Sequence, residues 1–257
     1  MKLTVGMAVY NDFPGVFFSV EALRLYHDLS DTEILVVDNA GDKRLKDWMD
    51  YWLKDLGRYV LAKEISGTSY PRDRVFREAR GEYVICIDSH VLLAPGALDK
   101  LWQGNDLIHG PMLNDDMRTC ILKMRPEWRA QMWGVWDDVV PVGLIPKETF
   151  EIEMHGLGLF GCRKDAWLGF NPGFRGFGGE EGYIHEKYRA AGRKVICLPW
   201  MKWVHRFGRS GNYSLDMGDR VRNYLLGFKE LGKDPKPIYD HFGYQMVTRI
   251  NEQCGGK

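Results

Sequence analysis

Asp88 and His90 stand two residues apart, just after the apolar run Tyr83-Val-Ile-Cys-Ile87. A carboxylate oxygen and an imidazole nitrogen presented together suit a divalent ion of intermediate hardness, Mn²⁺ more readily than Ca²⁺. Another imidazole comes much later, in Trp203-Val-His205-Arg-Phe207, behind a further apolar strand. Asp88, His90 and His205 would make a facial set of three metal ligands, leaving positions for two phosphate oxygens and a water. An isolated D-x-H is common, and its plainer reading is a strand cap beside a surface histidine. The glycine-rich stretch Phe174-Arg-Gly-Phe-Gly-Gly-Glu-Glu-Gly-Tyr183 offers a different chemistry. Gly178 and Gly179 permit positive φ and close backbone approach. Glu180 and Glu181 then open a helix, where acidic groups also suit the helix dipole. Either they are two N-terminal acids of no special role, or one binds a sugar beside a general base. Directly after His205, Arg206-Phe-Gly-Arg-Ser-Gly-Asn-Tyr213 reads as a loop able to clamp a diphosphate, or as an ordinary basic turn.

These groups need a scaffold that brings distant residues together. Residues 3–9, 33–39, 59–65 and 83–89 read as strands, and 15–26, 43–56 and 71–80 as helices between them. The run 33–39 is nearly continuous in apolar residues, as a strand buried on both faces should be. A β-α-β-α-β-α-β order argues for an α/β, Rossmann-like, doubly wound and mostly parallel sheet flanked by helices. Ligands bind such sheets at the carboxyl ends of the strands. Three of the four strands end in Asn11-Asp12, Asp38-Asn39 and Asp88. Further along, 94–102 reads as a helix and 106–113 as a short strand. Residues 118–150 carry Trp128, Trp133, Trp136, Pro126, Pro141 and Pro146 without a clean period, and read as an irregular aromatic binding region or lid. A strand at 156–162, a helix at 182–191 and a strand at 195–198 follow. The division expected is 1–215 as the principal domain, with a nucleotide-binding half at 1–105 and an acceptor half at 106–215. A C-terminal helical extension would occupy 216–257.

The chain of 257 residues carries 35 basic and 35 acidic side chains, so its net charge gives no signature of nucleic-acid or membrane binding. Cys86, Cys120, Cys162, Cys197 and Cys254 form no CxxC pair, and three of them lie in apolar runs. Free thiols in a reducing compartment are expected. The N-terminus lacks the pattern of a secretory signal, and no run is long enough to span a membrane. A soluble, cytoplasmic protein is the expectation.

Taken together the motifs resemble the GT-A glycosyltransferases of family 2 type, and within them the polypeptide N-acetylgalactosaminyltransferases. That family writes its metal motif as Asp-Ser-His, found here as Asp88-Ser89-His90. It continues with a glycine-bearing apolar strand, matched by Gly156-Leu-Gly-Leu-Phe-Gly-Cys162. A Trp-Gly-Gly-Glu-Asn turn and a Val-Gly-His-x-Phe-Arg segment follow, matched by Phe177-Gly-Gly-Glu-Glu181 and Trp203-Val-His205-Arg-Phe207. The family's tyrosine eight residues after the metal histidine corresponds to Tyr213. Its arginine three residues after that histidine does not, because Gly208 stands there and Arg209 comes one later.

The resemblance covers roughly residues 3–215 and implies Mn²⁺, or Mg²⁺, on Asp88, His90 and His205, bridging the diphosphate of a UDP-sugar. It implies that Val9, Tyr10, Asp38, Arg72, Asp88, Ser89, Gly178, Gly179, Arg209 and Tyr213 line the donor site. Glu180 would hydrogen-bond the transferred sugar, a hexose or N-acetylhexosamine. One departure concerns stereochemistry: Glu181 replaces the asparagine of the retaining family. Inverting GT-A enzymes place their catalytic carboxylate there, so Glu181 as base leans the reading towards inversion.

Rival readings are a nucleotidyltransferase, a non-catalytic sugar-nucleotide-binding domain and a zinc hydrolase. The acceptor stays open among a protein Ser/Thr hydroxyl, a glycan hydroxyl and a hydroxymethylated DNA base.

Overall fold

In the computed structural model, residues 1–207 and 215–254 are described. The first half alternates as β1 (Leu3–Val9), α1 (Phe13–Tyr26), β2 (Thr32–Asp38), α2 (Lys43–Trp52), β3 (Gly57–Leu61), α3 (Ser69–Glu78) and β4 (Tyr83–Asp88). Short strands follow: β5 (Val91–Leu93), β6 (Leu107–His109), β7 (Met112–Leu113), β8 (Thr119–Ile121), β9 (Met124–Arg129), β10 (Met132–Trp136), β11 (Val140–Pro141), β12 (Phe150–Glu151) and β13 (Leu159–Arg163). Then come α4 (Glu180–Ala190), β14 (Val195–Cys197) and β15 (Trp203–His205), and the helices α5 (Met217–Glu230), α6 (Lys236–Phe242) and α7 (Tyr244–Gln253).

The central sheet runs β12-β14-β6-β13-β4-β1-β2-β3. β4, β1, β2 and β3 are parallel, as are β6 and β14, while β13 enters antiparallel to both of its neighbours. This is the doubly wound, mostly parallel α/β sheet expected. Alternate residues of each strand serve opposite faces. Val5, Met7, Ile34, Val36 and Ile85 pack under α1 and α2, while Leu35, Val37, Val84 and Cys86 pack under α3 and α4. Burying each such side chain contributes roughly 1.5–3 kcal/mol. At Gly6 a β-carbon would fall 2.1 Å from Cγ1 of Val75, so α3 lies on β1 only because no side chain intervenes.

A smaller sheet, β11-β8-β7-β15-β5, stands beside the first. Residues 94–102 do not form the expected helix: Pro95 and Gly96, with φ +82°, turn the chain, and residues 101–103 have no regular structure. The expected strand at 106–113 is split into β6 and β7 by Gly110-Pro111, since proline offers no amide to a ladder. The aromatic region is also more regular than its sequence suggests. β9 and β10 form an antiparallel hairpin turned at Ala130, with φ +50°, and irregular between Trp133 and Val135. That irregularity breaks the two-residue period that would have marked the strands. The five cysteines are free. Among the described residues no helix is long and apolar enough to cross a membrane.

Candidate metal centre and active site

β1, β2 and β4 end in register. Ala8 pairs with Asp88 on one side, and Val9 with Asp38 on the other. Asp88 closes β4, Ser89 and His90 make the turn, and β5 leaves in a new direction. β15 runs antiparallel to β5 with His205 opposite Val91, which carries His205 back to His90. Among the described residues, Asp88, His90 and His205 are the group able to hold a metal ion. The Nε2 atoms of the two histidines lie 3.1 Å apart, and Asp88 Oδ2 lies 3.8 Å from the first and 3.7 Å from the second. A point about 2.1 Å from all three atoms exists inside that triangle, a metal–nitrogen or metal–oxygen bond length, so the donor set fits a divalent ion.

The surroundings fix the orientation of each ligand. Arg72 on α3 donates to Asp88 Oδ1 at 2.8 Å, which turns Oδ2 towards the histidines. Burial alone would raise the Asp88 carboxyl. The Arg72 guanidinium, and then His205 and His90, outweigh it and hold Asp88 well below the usual carboxylate range. Asp12 steadies His90 from behind. Its Oδ1 caps α1 at Gly15 N, 3.1 Å away, while Oδ2 accepts the Ser89 hydroxyl at 2.7 Å and faces His90 Nδ1 at 3.4 Å. A carboxylate behind a ligating imidazole fixes its tautomer and raises its basicity. In the sequence Asp12 is marked only as a strand-end acid. Its link to His90 arises from tertiary contact.

The Gly-Gly-Glu-Glu turn faces this corner. Gly178 and Gly179 have φ of +104° and +96°, and a β-carbon at Gly178 would meet Arg220 Nε at 2.6 Å. The turn is thus pressed on α5, where Asn223 donates to the Gly178 carbonyl at 2.9 Å. Glu180 is wholly buried and uses both oxygens. One accepts from Thr68 and from Arg72, and the other accepts from Gly178 N. Arg72 therefore joins the Asp88 carboxylate to the Gly-Gly-Glu turn. Glu181 differs sharply from its neighbour. Its Oε2 is buried without a hydrogen-bond partner, and burial, followed by the nearby Glu180 charge, pushes its carboxyl up to about 8. A carboxylate with a free oxygen and a pKa near neutrality has the character of a general base.

Several residues expected at the donor site are engaged within the protein. The Asp38 carboxylate takes three amide hydrogens of residues 40–42 and the Tyr59 hydroxyl, shaping the turn after β2. The Ser89 hydroxyl is spent on Asp12. Arg72 is buried and paired with Asp88 and Glu180. Val9 is buried at the end of β1, and Tyr10 follows it half-buried. Arg209 and Tyr213 lie outside the described residues.

Residues 4–104 match the family model described as glycosyl transferase family 2. The mouse polypeptide N-acetylgalactosaminyltransferase 10 is 25% identical over 245 residues, covering 87% of this chain and 40% of that protein. The chain thus spans well under half the length of this relative. A structure of GalNAc-T7 with UDP, GalNAc and Mn²⁺ superposes with a TM-score of 0.70 at 16% identity, over 89% of this chain and 48% of the other. The mannosyltransferase PcManGT of Pyrobaculum calidifontis, in complex with GDP-Man and Mn²⁺, gives 0.57 at 15% identity over 99% and 75%. S. aureus TarS 1-349, in complex with UDP-GlcNAc, gives 0.57 at 16% over 97% and 71%. The chain has the GT-A fold, and the resemblance to family 2 type glycosyltransferases read from its motifs is met by the family model and the mouse relative.

Proposed function

We propose that this chain is a metal-dependent glycosyltransferase that moves a hexose or N-acetylhexosamine from a nucleoside diphosphate to an acceptor hydroxyl. The observation that carries the reading is the convergence of Asp88 Oδ2, His90 Nε2 and His205 Nε2 on one point, beside the carboxyl ends of parallel strands. That two of the similar structures hold UDP or a UDP-sugar, and two hold Mn²⁺, favours UDP as the nucleotide and manganese as the ion. Mn²⁺ or Mg²⁺, when bound, would neutralise the departing diphosphate as a Lewis acid.

The protein's own groups supply the rest. Glu181 Oε2 takes the proton of the acceptor hydroxyl as that oxygen bonds to the anomeric carbon. The bond from that carbon to the diphosphate oxygen breaks on the opposite face, which inverts the configuration. Arg72 holds Asp88 in its ligating orientation, and Glu180, fully engaged with Arg72 and Thr68, acts through that arginine.

The test is release of nucleoside diphosphate from a panel of nucleotide sugars, with Mn²⁺ and with EDTA. Turnover of one donor that EDTA abolishes and added Mn²⁺ restores is the expected result. No turnover of any donor, together with no thermal shift from UDP or GDP plus Mn²⁺, would overturn the reading.

A further inference from the structure

Three tryptophans lie on the β9–β10 hairpin, and they are not equivalent. Trp128 is ringed by Tyr224, His241 and Phe242. Trp133 lies against Gly182 of α4, and its amide donates to the Tyr224 hydroxyl at 2.8 Å. These two fasten the hairpin to α4 and the C-terminal helices. Trp136, at the end of β10, keeps 36% of its surface exposed.

The position of Trp136 is set from beneath. Its six-membered ring lies over Gly156, where a β-carbon would come within 2.6 Å of Cη2, and it meets buried His155 at 5.6 Å between ring centres. Two residues on, Gly158 is pressed against Trp203 and against Cδ2 of His205. The Gly158 carbonyl accepts the Asp88 amide at 2.9 Å. Cα atoms two residues apart are separated by at most about 7 Å. The indole therefore rests on the same short Gly156–Gly158 segment that packs on His205 and bonds Asp88.

The charges beside it discriminate among acceptors. Arg125 is paired with Asp137 at 2.8 Å and with Glu127 at 3.1 Å, and Lys123 with Glu153 at 2.8 Å. Arg125 and Lys123 are thus already paired, whereas tracking a nucleic-acid backbone requires cations that can pair with phosphates. Exposed Asp138, two residues along, offers oxygens that accept from hydroxyls and repel phosphates. A flat π face beside carboxylate oxygens and the paired cations Arg125 and Lys123 matches a neutral carbohydrate.

We infer that Trp136 is the stacking platform for the acceptor, and that the acceptor is a glycan hydroxyl. This rests on the transferase reading above. Wild type, Trp136→Ala, Trp136→Phe and, as a control on the remote surface of α2, Trp52→Ala would be assayed with the active UDP-sugar and Mn²⁺. Three acceptor panels would be offered: neutral disaccharides, Ser/Thr peptides and an oligonucleotide carrying hydroxymethylated cytosine. Transfer to a disaccharide is expected, with its KM raised about tenfold or more by Trp136→Ala. The kcat should move less than about twofold, as for loss of uniform binding. Trp136→Phe should fall between, and Trp52→Ala should match wild type. Transfer only to peptide or oligonucleotide, or an unchanged KM in Trp136→Ala, would overturn the platform while the donor reading stands. Absence of donor turnover with every acceptor would overturn the transferase reading and this one with it.

Discussion

Two clusters of imidazoles lie close together in this molecule and do opposite things. His90 and His205 meet at the strand ends with Asp88 between them and Asp12 behind. His109, His155 and His185 are stacked in the interior, all fully buried, with the Nε2 atoms of His109 and His185 2.9 Å apart. Burial, before any other influence, pushes His155 down to about 4, His185 to about 3 and His109 well below its ordinary value. The hydrogen bonds of His109 and His185 to protein carbonyls run to Leu159 O and Glu181 O. The difference is the carboxylates. With Asp88 and Asp12 in place, two imidazoles can share a cation. Without a carboxylate in the stack, three of them are neutral core that resists charge.

Removing the carboxylate from the first cluster should give the largest effect. Asp88→Asn is expected to weaken Mn²⁺ binding by more than about a hundredfold in calorimetry, exceeding losses typical of outer-shell changes. Turnover should fall in parallel. His205→Ala should do the same while leaving Arg72 its partners, so metal affinity retained in both variants would break the contrast. Next in size is the base. Glu181→Gln should lower kcat by about 10²–10⁴-fold with little change in donor affinity. In wild type, kcat/KM should rise with pH as Glu181 loses its proton towards about 8, and the variant should lose that limb. An equal profile in the two proteins would remove Glu181 as base.

The smallest effect sharpens the other side of the comparison. The native pKa values of His155 and His185 lie below the unfolded value of 6.5, so the unfolded chain binds protons first as pH falls. Stability is therefore complete above about 6.5 and declines towards about 4, by up to about 1.4 kcal/mol per pH unit for each histidine. Thermal melts between pH 7 and 4 should show that decline, and His155→Gln should flatten it. An equal slope in both would place the acid sensitivity elsewhere.

Much of the fold was legible because its signals are local. The apolar runs that became β1, β2 and β4, and the helices between them, follow from periodicity within a dozen residues. Asp88-Ser89-His90 and the Gly-Gly-Glu-Glu turn were visible as spacing, and the two glycines do adopt positive φ. The hairpin at 124–136 was not legible, because an irregular register at Trp133–Val135 hides the alternation. The split of 106–113 depended on where Pro111 falls relative to two different sheets.

The sequence by itself determined the alternating α/β order, the residue types at the strand ends and the kind of ion they suit. Tertiary structure decided which of those residues meet. It brought His205 to His90 through the β5–β15 pairing, and turned Asp88 Oδ2 inward by occupying Oδ1 with Arg72. It also separated adjacent glutamates, tying both oxygens of Glu180 and leaving one of Glu181 free. The physical reason is range. Periodicity and turn chemistry act between near neighbours, whereas ligation, ion pairing and desolvation depend on groups that only the folded chain brings within a few ångströms.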